Sequence, residues 1–316
     1  MSVQVRRRAV PAVLLVLTAA LTGGPDALLA RERAAGAQPA PVPAQWLPGG
    51  DPRSSERPAA IGPGEPEQGG VPEEGEPVAE VRALWGDGLD VVRGERSLVA
   101  GHDAPPGLLE DLARRADTAG RRVGGVLGGP VRAVVLVPAS AAEAAGLAGV
   151  ASVDGLAAVA DDGRVIVVPE QFARLTPVGR DVVLAHELTH VAAGTEGLPV
   201  WLYEGFADYV AYRDAGLPAR TAAAELAAEV RAGRLPGGLP EAADFAPGAD
   251  AGRLARAYQE AWLACRFLAA HLGEETLVRL YRDAQTYGAD RALASLGLPT
   301  GTLTERWRAY VRDQLA

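Results

Sequence analysis

The sequence predicts an α+β fold in which a small N-terminal mixed sheet with its helices packs on a mainly helical C-terminal half. Three observations lead there. Short β-branched runs and an Asp-Gly turn end by Val168. Apolar spacing near 3.6 residues, the mark of a helix with one buried face, runs through almost everything after it. A stretch rich in Pro, Gly, Ala and Glu stands ahead of both and has the composition of neither.

Residues 1–30 read as an export signal. Arg6, Arg7 and Arg8 form a basic start, Ala9–Leu21 an apolar run, and Ala27-Leu28-Leu29-Ala30 an imperfect cleavage site. The apolar run is shorter than the roughly 20 residues that span a bilayer. Left uncleaved, it would still tether the protein to a membrane. No cysteine follows it, which excludes a lipid anchor there. Residues 31–78 have almost no aromatic side chain beyond Trp46 and cannot bury enough apolar area to offset chain entropy. They are expected to be a disordered linker, with a pro-segment as the other reading. The folded domain is expected over 79–316.

Within it, Val81–Val92 reads as a strand or pair of strands, Pro106–Gly120 as a helix and Val131–Pro138 as a β-branched strand. Leu156–Ala160 and Arg164–Val168 flank Asp161-Asp162-Gly163 as a hairpin. Helices are expected at Thr176–Ala193, Pro199–Asp214, Pro218–Gly233, Ala251–Leu272, Glu274–Tyr287 and Thr302–Leu315. Pro218 suits a first helical position, where its missing N–H costs nothing.

Charge and cysteine usage narrow the function. The 31 basic residues are all arginine and face 40 acidic ones, a net charge of −9 that argues against a nucleic-acid partner. No strand is followed by a glycine-rich phosphate loop. Cys265 is the only cysteine, so no intramolecular disulfide forms; its apolar helix makes it a small core residue.

The chemistry is concentrated in His186-Glu187-Leu188-Thr189-His190 and, after a Gly194–Pro199 turn, Trp201–Asp208. Residues i and i+4 share a helix face, so His186 and His190 can aim at one cation, with Glu187 beside them as a general base. Glu204 can be the third ligand of a site that keeps one position open. Asp208, one turn on, is placed to accept a ligating histidine's free ring N–H. HExxH alone is weak evidence, because a solvated helix face with two histidines carries the same pattern. Here the flanking Val182, Val183, Leu184, Ala185, Leu188 and Val191 make the helix apolar, and buried His and Glu need partners.

The stretch Val183–Tyr212, VLAHELTHVAAGTEGLPVWLYEGFADYVAY, resembles the active-site region of gluzincins, and within them the compact thermolysin-like peptidase MA domains of bacterial envelope proteins. The resemblance is specific over this segment and loose beyond it. It implies a zincin-like active-site helix, one Zn2+ per chain on His186, His190 and Glu204, Glu187 as general base and Asp208 behind a ligand. It also implies hydrolysis of a peptide or protein substrate by a zinc-activated water, in an exported, secreted or envelope-associated bacterial protein. The spacer between His190 and Glu204 is shorter than in the large thermolysin-type enzymes.

A rival third ligand is Glu196, where metzincins carry a histidine. The glycine is displaced to Gly194, leaving Ala193 at the turn, and Met1 is the only methionine, so no methionine turn exists. Glu196 reads instead as a loop carboxylate near the pocket rim. Related enzymes stabilise the oxyanion with a Tyr or His from the helical half. Tyr258 is the first candidate and His271 the weaker, with core packing an equal reading of Tyr258. His102 reads as a loop residue. In gluzincins an extended peptide lies along an edge strand above the metal; Arg164–Val168 holds that position here, a plain core hairpin being the other reading. The alternative to a metallopeptidase is a non-proteolytic zinc-binding envelope interaction domain.

Overall fold

The computed structural model describes residues 12–13, 76–246 and 250–316. The export signal expected over 1–30, apart from 12–13, and the linker expected over 31–78, apart from its last three residues, lie outside them. Among the described residues no helix is long and apolar enough to cross a membrane.

The architecture is mixed α+β. A six-stranded sheet runs in the order β1-β5-β6-β4-β3-β2, with β1 at Ala12–Val13, β2 at Leu89–Arg93, β3 at Ser97–His102, β4 at Ala133–Val137, β5 at Ala158–Asp161 and β6 at Arg164–Val167. β3, β4 and β6 are mutually parallel, and the remaining pairings are antiparallel. Helices cover both faces, which is why β4 reads as a continuous apolar run and not as an alternation. Val135 and Val137 face one core with α2 (Leu108–Leu127), while Leu136 and Ile166 face another with α1 (Glu76–Trp85) and α3 (Ala141–Ala148).

The expected strand over Val81–Val92 is corrected. Val78, Val81 and Trp85 are buried while Arg82, Ala83 and Leu84 are exposed, a spacing that fits one helix face and no strand. Only Leu89–Arg93 extends, after a 3-10 turn at Gly86–Gly88. The fold therefore begins no later than Glu76, ahead of the expected boundary at 79. His102 also departs from its reading as a loop residue. It ends β3, where its ring stacks on Trp85 at 5.4 Å and its Nδ1 lies 2.8 Å from Glu143.

The hairpin forms between β5 and β6 across a two-residue turn. Asp162 and Gly163 both have positive φ (43° and 80°), as a primed turn requires. Its strand order overturns the expected edge: β6 is held between β4 and β5, and β5 is in turn paired with β1 on its other side.

Beyond the sheet the chain is helical: α4 (Pro169–Ala173), α5 (Pro177–Ala193), α6 (Val200–Tyr212), α7 (Ala219–Ala222), α8 (Ala224–Arg231), α9 (Ala251–Leu272), α10 (Glu274–Tyr287), α11 (Ala289–Ser295) and α12 (Thr300–Leu315). The single helix expected over Pro218–Gly233 is broken at Ala223 (φ −115°, ψ 49°), and Pro218 is the cap before α7 and not its first residue. α5 packs on α2 and on β5 and β6; α6 packs on α5, and α9 covers α6. That stack buries the motif helix on every side.

Candidate metal centre

α5 starts on a Thr176 cap whose hydroxyl accepts from the Gly179 N–H at 3.0 Å, has Pro177 in its first turn, and stops at Gly194 (φ 70°). Every residue from Val182 to His190 is buried, so its polar members must find partners inside. α6 follows a tight turn and brings Glu204 and Asp208, also buried, against the same place.

Three ligand atoms converge. His186 Nε2 and His190 Nε2 are 2.9 Å apart, and Glu204 Oε2 lies 3.2 Å from the first and 3.5 Å from the second. Two ring nitrogens at that distance must share either a proton or a cation. These residues form a buried group able to hold a metal ion. Among the described residues, Glu204 Oε2 has no aligned hydrogen-bond donor despite its burial, and neither Glu187 Oε1 nor His190 Nδ1 has a partner. Orphaned buried atoms are costly, and a cation would relieve the one on Glu204.

Behind the group, Asp208 Oδ1 sits 2.8 Å from His186 Nδ1. A carboxylate there places the ring proton on Nδ1 and turns the Nε2 lone pair toward Glu204 and His190. Replacing Asp208 with asparagine is expected to weaken metal binding by about 10–100-fold, measured by competition with a chelator; equal affinity would remove this role.

The charges fit a metal set. Burial opposes charge on Glu204, but the His190 and His186 rings outweigh it and hold its carboxyl below the usual range. Burial lowers the pKa of His190, favouring the neutral imidazole that a ligand needs. Burial also opposes charge on His186, yet Asp208, Glu204 and Glu187 keep its pKa well above the ordinary value, so cation binding there would release a proton. Glu187 is pushed up to about 8, by burial above all, with the Glu204 charge adding.

One contact was not legible in the motif. The Ala160 N–H on β5 donates to Glu187 Oε2 at 2.9 Å, which fixes one carboxylate oxygen and leaves Oε1 unpaired. Only the strand order puts β5 there. Tyr203, which carries no ligand group to mark it in the motif, is half-buried and lies edge-on to His190 at 5.8 Å.

Tyr258 is buried in α9 with its ring 5.2 Å from that of Phe245, and after burial the charges of Glu204, Asp208 and Glu187 raise its pKa, so its phenol stays protonated. His271 is not brought to the ligand group. It lies about 20 Å further along α9 at 1.5 Å per residue, stacked on Phe267 and 3.2 Å from Arg306. Glu196 is exposed and accepts from the Thr195 N–H at 3.1 Å, outside the ligand group.

No protein-family model matches this chain, and no curated protein matches it. What defines it is its own arrangement, a buried His-His-Glu group on two packed helices beside strand β5 of a mixed sheet.

Proposed function

We propose that this protein is an exported zinc metallopeptidase of the gluzincin kind, with α5 as its zincin-like active-site helix. The observation that carries this reading is the convergence of His186 Nε2, His190 Nε2 and Glu204 Oε2 next to the unpaired Oε1 of Glu187. Bonds of about 2.0–2.1 Å at tetrahedral angles would set ligand atoms about 3.3 Å apart. The separations of 2.9, 3.2 and 3.5 Å bracket that value. Two imidazoles and one carboxylate suit zinc with a position left open for chemistry.

When bound, zinc would polarise a peptide carbonyl and lower the pKa of water from about 15.7 to about 7. The remaining work belongs to the chain. Glu187, anchored through Oε2 to Ala160, presents Oε1 to take a proton from the attacking water and return it to the leaving amine. Asp208 holds the His186 ring in orientation. Tyr258, kept protonated by burial and by the Glu204, Asp208 and Glu187 charges, is the residue we assign to the developing oxyanion. An extended peptide laid along β5 would pass Glu187, since the Ala160 amide of that strand already bonds to it. The outer side of β5 takes an extended segment in this chain, with Val13 opposite Val159 and Ala12 opposite Ala160. Export rests on the N-terminal Arg6–Leu21 pattern.

The test is metal content and mixed-peptide hydrolysis of the full chain beside Glu187→Gln. Wild type is expected to hold one zinc and hydrolyse peptides. The variant is expected to keep the zinc and lose about 10²–10⁴-fold in rate, the usual contribution of a general base. Zinc without hydrolysis in either protein would favour a binding domain, and loss of zinc in the variant would mean that Glu187 has been given the wrong role.

A further inference from the structure

We propose that Tyr281 and Gln285, one turn apart on α10, are positioning residues that set the separation of the two ligand-bearing helices and decide which carboxylate completes the metal group. This rests on the metal reading of His186, His190 and Glu204, and on no assumption about the reaction. α5 ends just after His190, and its last carbonyls have no partner within the helix. α10 supplies the missing donors. The Tyr281 hydroxyl donates to Gly194 O at 2.5 Å, and Gln285 Nε2 donates to Ala193 O at 2.9 Å. The buried Tyr281 ring also lies 4.4 Å from the ring of Phe206, two residues beyond Glu204 on α6. One side chain thus touches the end of the helix that carries the histidines and the middle of the helix that carries the glutamate.

The turn between them is moulded to α10. Gly194 and Gly197 have positive φ (70° and 75°). A methyl group on Gly194 would come 3.4 Å from Gln285 Nε2 and 2.8 Å from Glu196 Oε2, and one on Gly197 would come 3.2 Å from Gln285 O. In this form the turn folds Glu196 onto the Thr195 N–H and away from the ligands. Glu196 stands close enough in sequence to His190 to compete once the turn is loosened. Neither Tyr281 nor Gln285 belongs to the ligand group, so any effect they have on the metal passes through this turn.

The experiment uses the full chain as wild type, Tyr281→Phe, Gln285→Ala and the double variant, loaded with zinc for affinity and with cobalt(II) for its absorption spectrum. Tyr281→Phe keeps the ring on Phe206 and removes only the hydroxyl. The single variants are expected to bind zinc about 10-fold more weakly, as loss of outer support for a ligand does. The double variant is expected to show an altered cobalt spectrum, while unfolding of the metal-free proteins stays near that of wild type. Adding Glu196→Ala, silent in the wild type, is expected to change the double variant's cobalt spectrum again. Wild-type affinity and spectrum in the double variant would overturn the proposal, as would losses that track the stability of the metal-free protein. A wild-type protein that takes up no metal would instead overturn the reading beneath it.

Discussion

Replacing Glu204 with alanine is expected to abolish metal retention through purification and to weaken binding by on the order of 10³-fold or more, beyond the about 10–100-fold expected from losing a residue that only supports a ligand. The change removes the only carboxylate of the group and leaves two imidazoles whose Nε2 atoms are 2.9 Å apart. Without a cation those nitrogens can settle only by sharing a proton, and the protonated pair repels an incoming cation. Glu196→Ala serves as the control. Its carboxylate is exposed and bonded to its own turn, so the same chelator competition should return the wild-type value. The reverse ranking would make Glu196 the ligand and sink the assignment of Glu204.

The second large effect is expected at Gly205, next to that ligand. On an isolated helix, alanine is better than glycine by about 1 kcal/mol. Here the sign should reverse. α6 meets α9 at Gly205, where a methyl group would fall inside the Ala261 carbonyl and 3.1 Å from Cys265 Sγ. Cys265 itself is buried beneath the Leu202 carbonyl at 3.8 Å. Backbone cannot rotate away as a side chain tip can, so the two helices must part. Gly205→Ala is expected to cost about 3 kcal/mol or more, the upper end of overpacking penalties, in denaturant unfolding of the metal-free protein. Metal affinity should fall with it, because Glu204 and Asp208 ride on the displaced helix. A stability gain of the size that helix propensity predicts would show that the helices are not held as closely as this.

The candidate ligands were legible because helical periodicity is local. His186 and His190 one turn apart, and Glu204 and Asp208 one turn apart, need only that each segment be a helix. The same periodicity at Val78, Val81 and Trp85 marks the buried face of α1, in place of the expected strand. The hairpin was legible for a similar reason, since Asp162-Gly163 tolerates the positive φ that its turn demands.

What the amino-acid order could determine was therefore the inventory of this protein: a mixed α+β chain, a helix bearing His186, Glu187 and His190, and a second helix bearing Glu204 and Asp208. What surrounds those residues was decided by tertiary structure. Strand order put β6 inside the sheet and brought the Ala160 N–H of β5 to Glu187. Helix packing buried Tyr258 within the field of the Glu204, Asp208 and Glu187 charges and left His271 far along α9 with Arg306. The fold of the turn sent the Glu196 carboxylate onto Thr195, with Tyr281 and Gln285 of a distant helix closing over it. These neighbours are joined by pairing and packing between segments far apart in the chain. No local spacing rule reaches across such separations, and it was the assembled core that chose among the candidates.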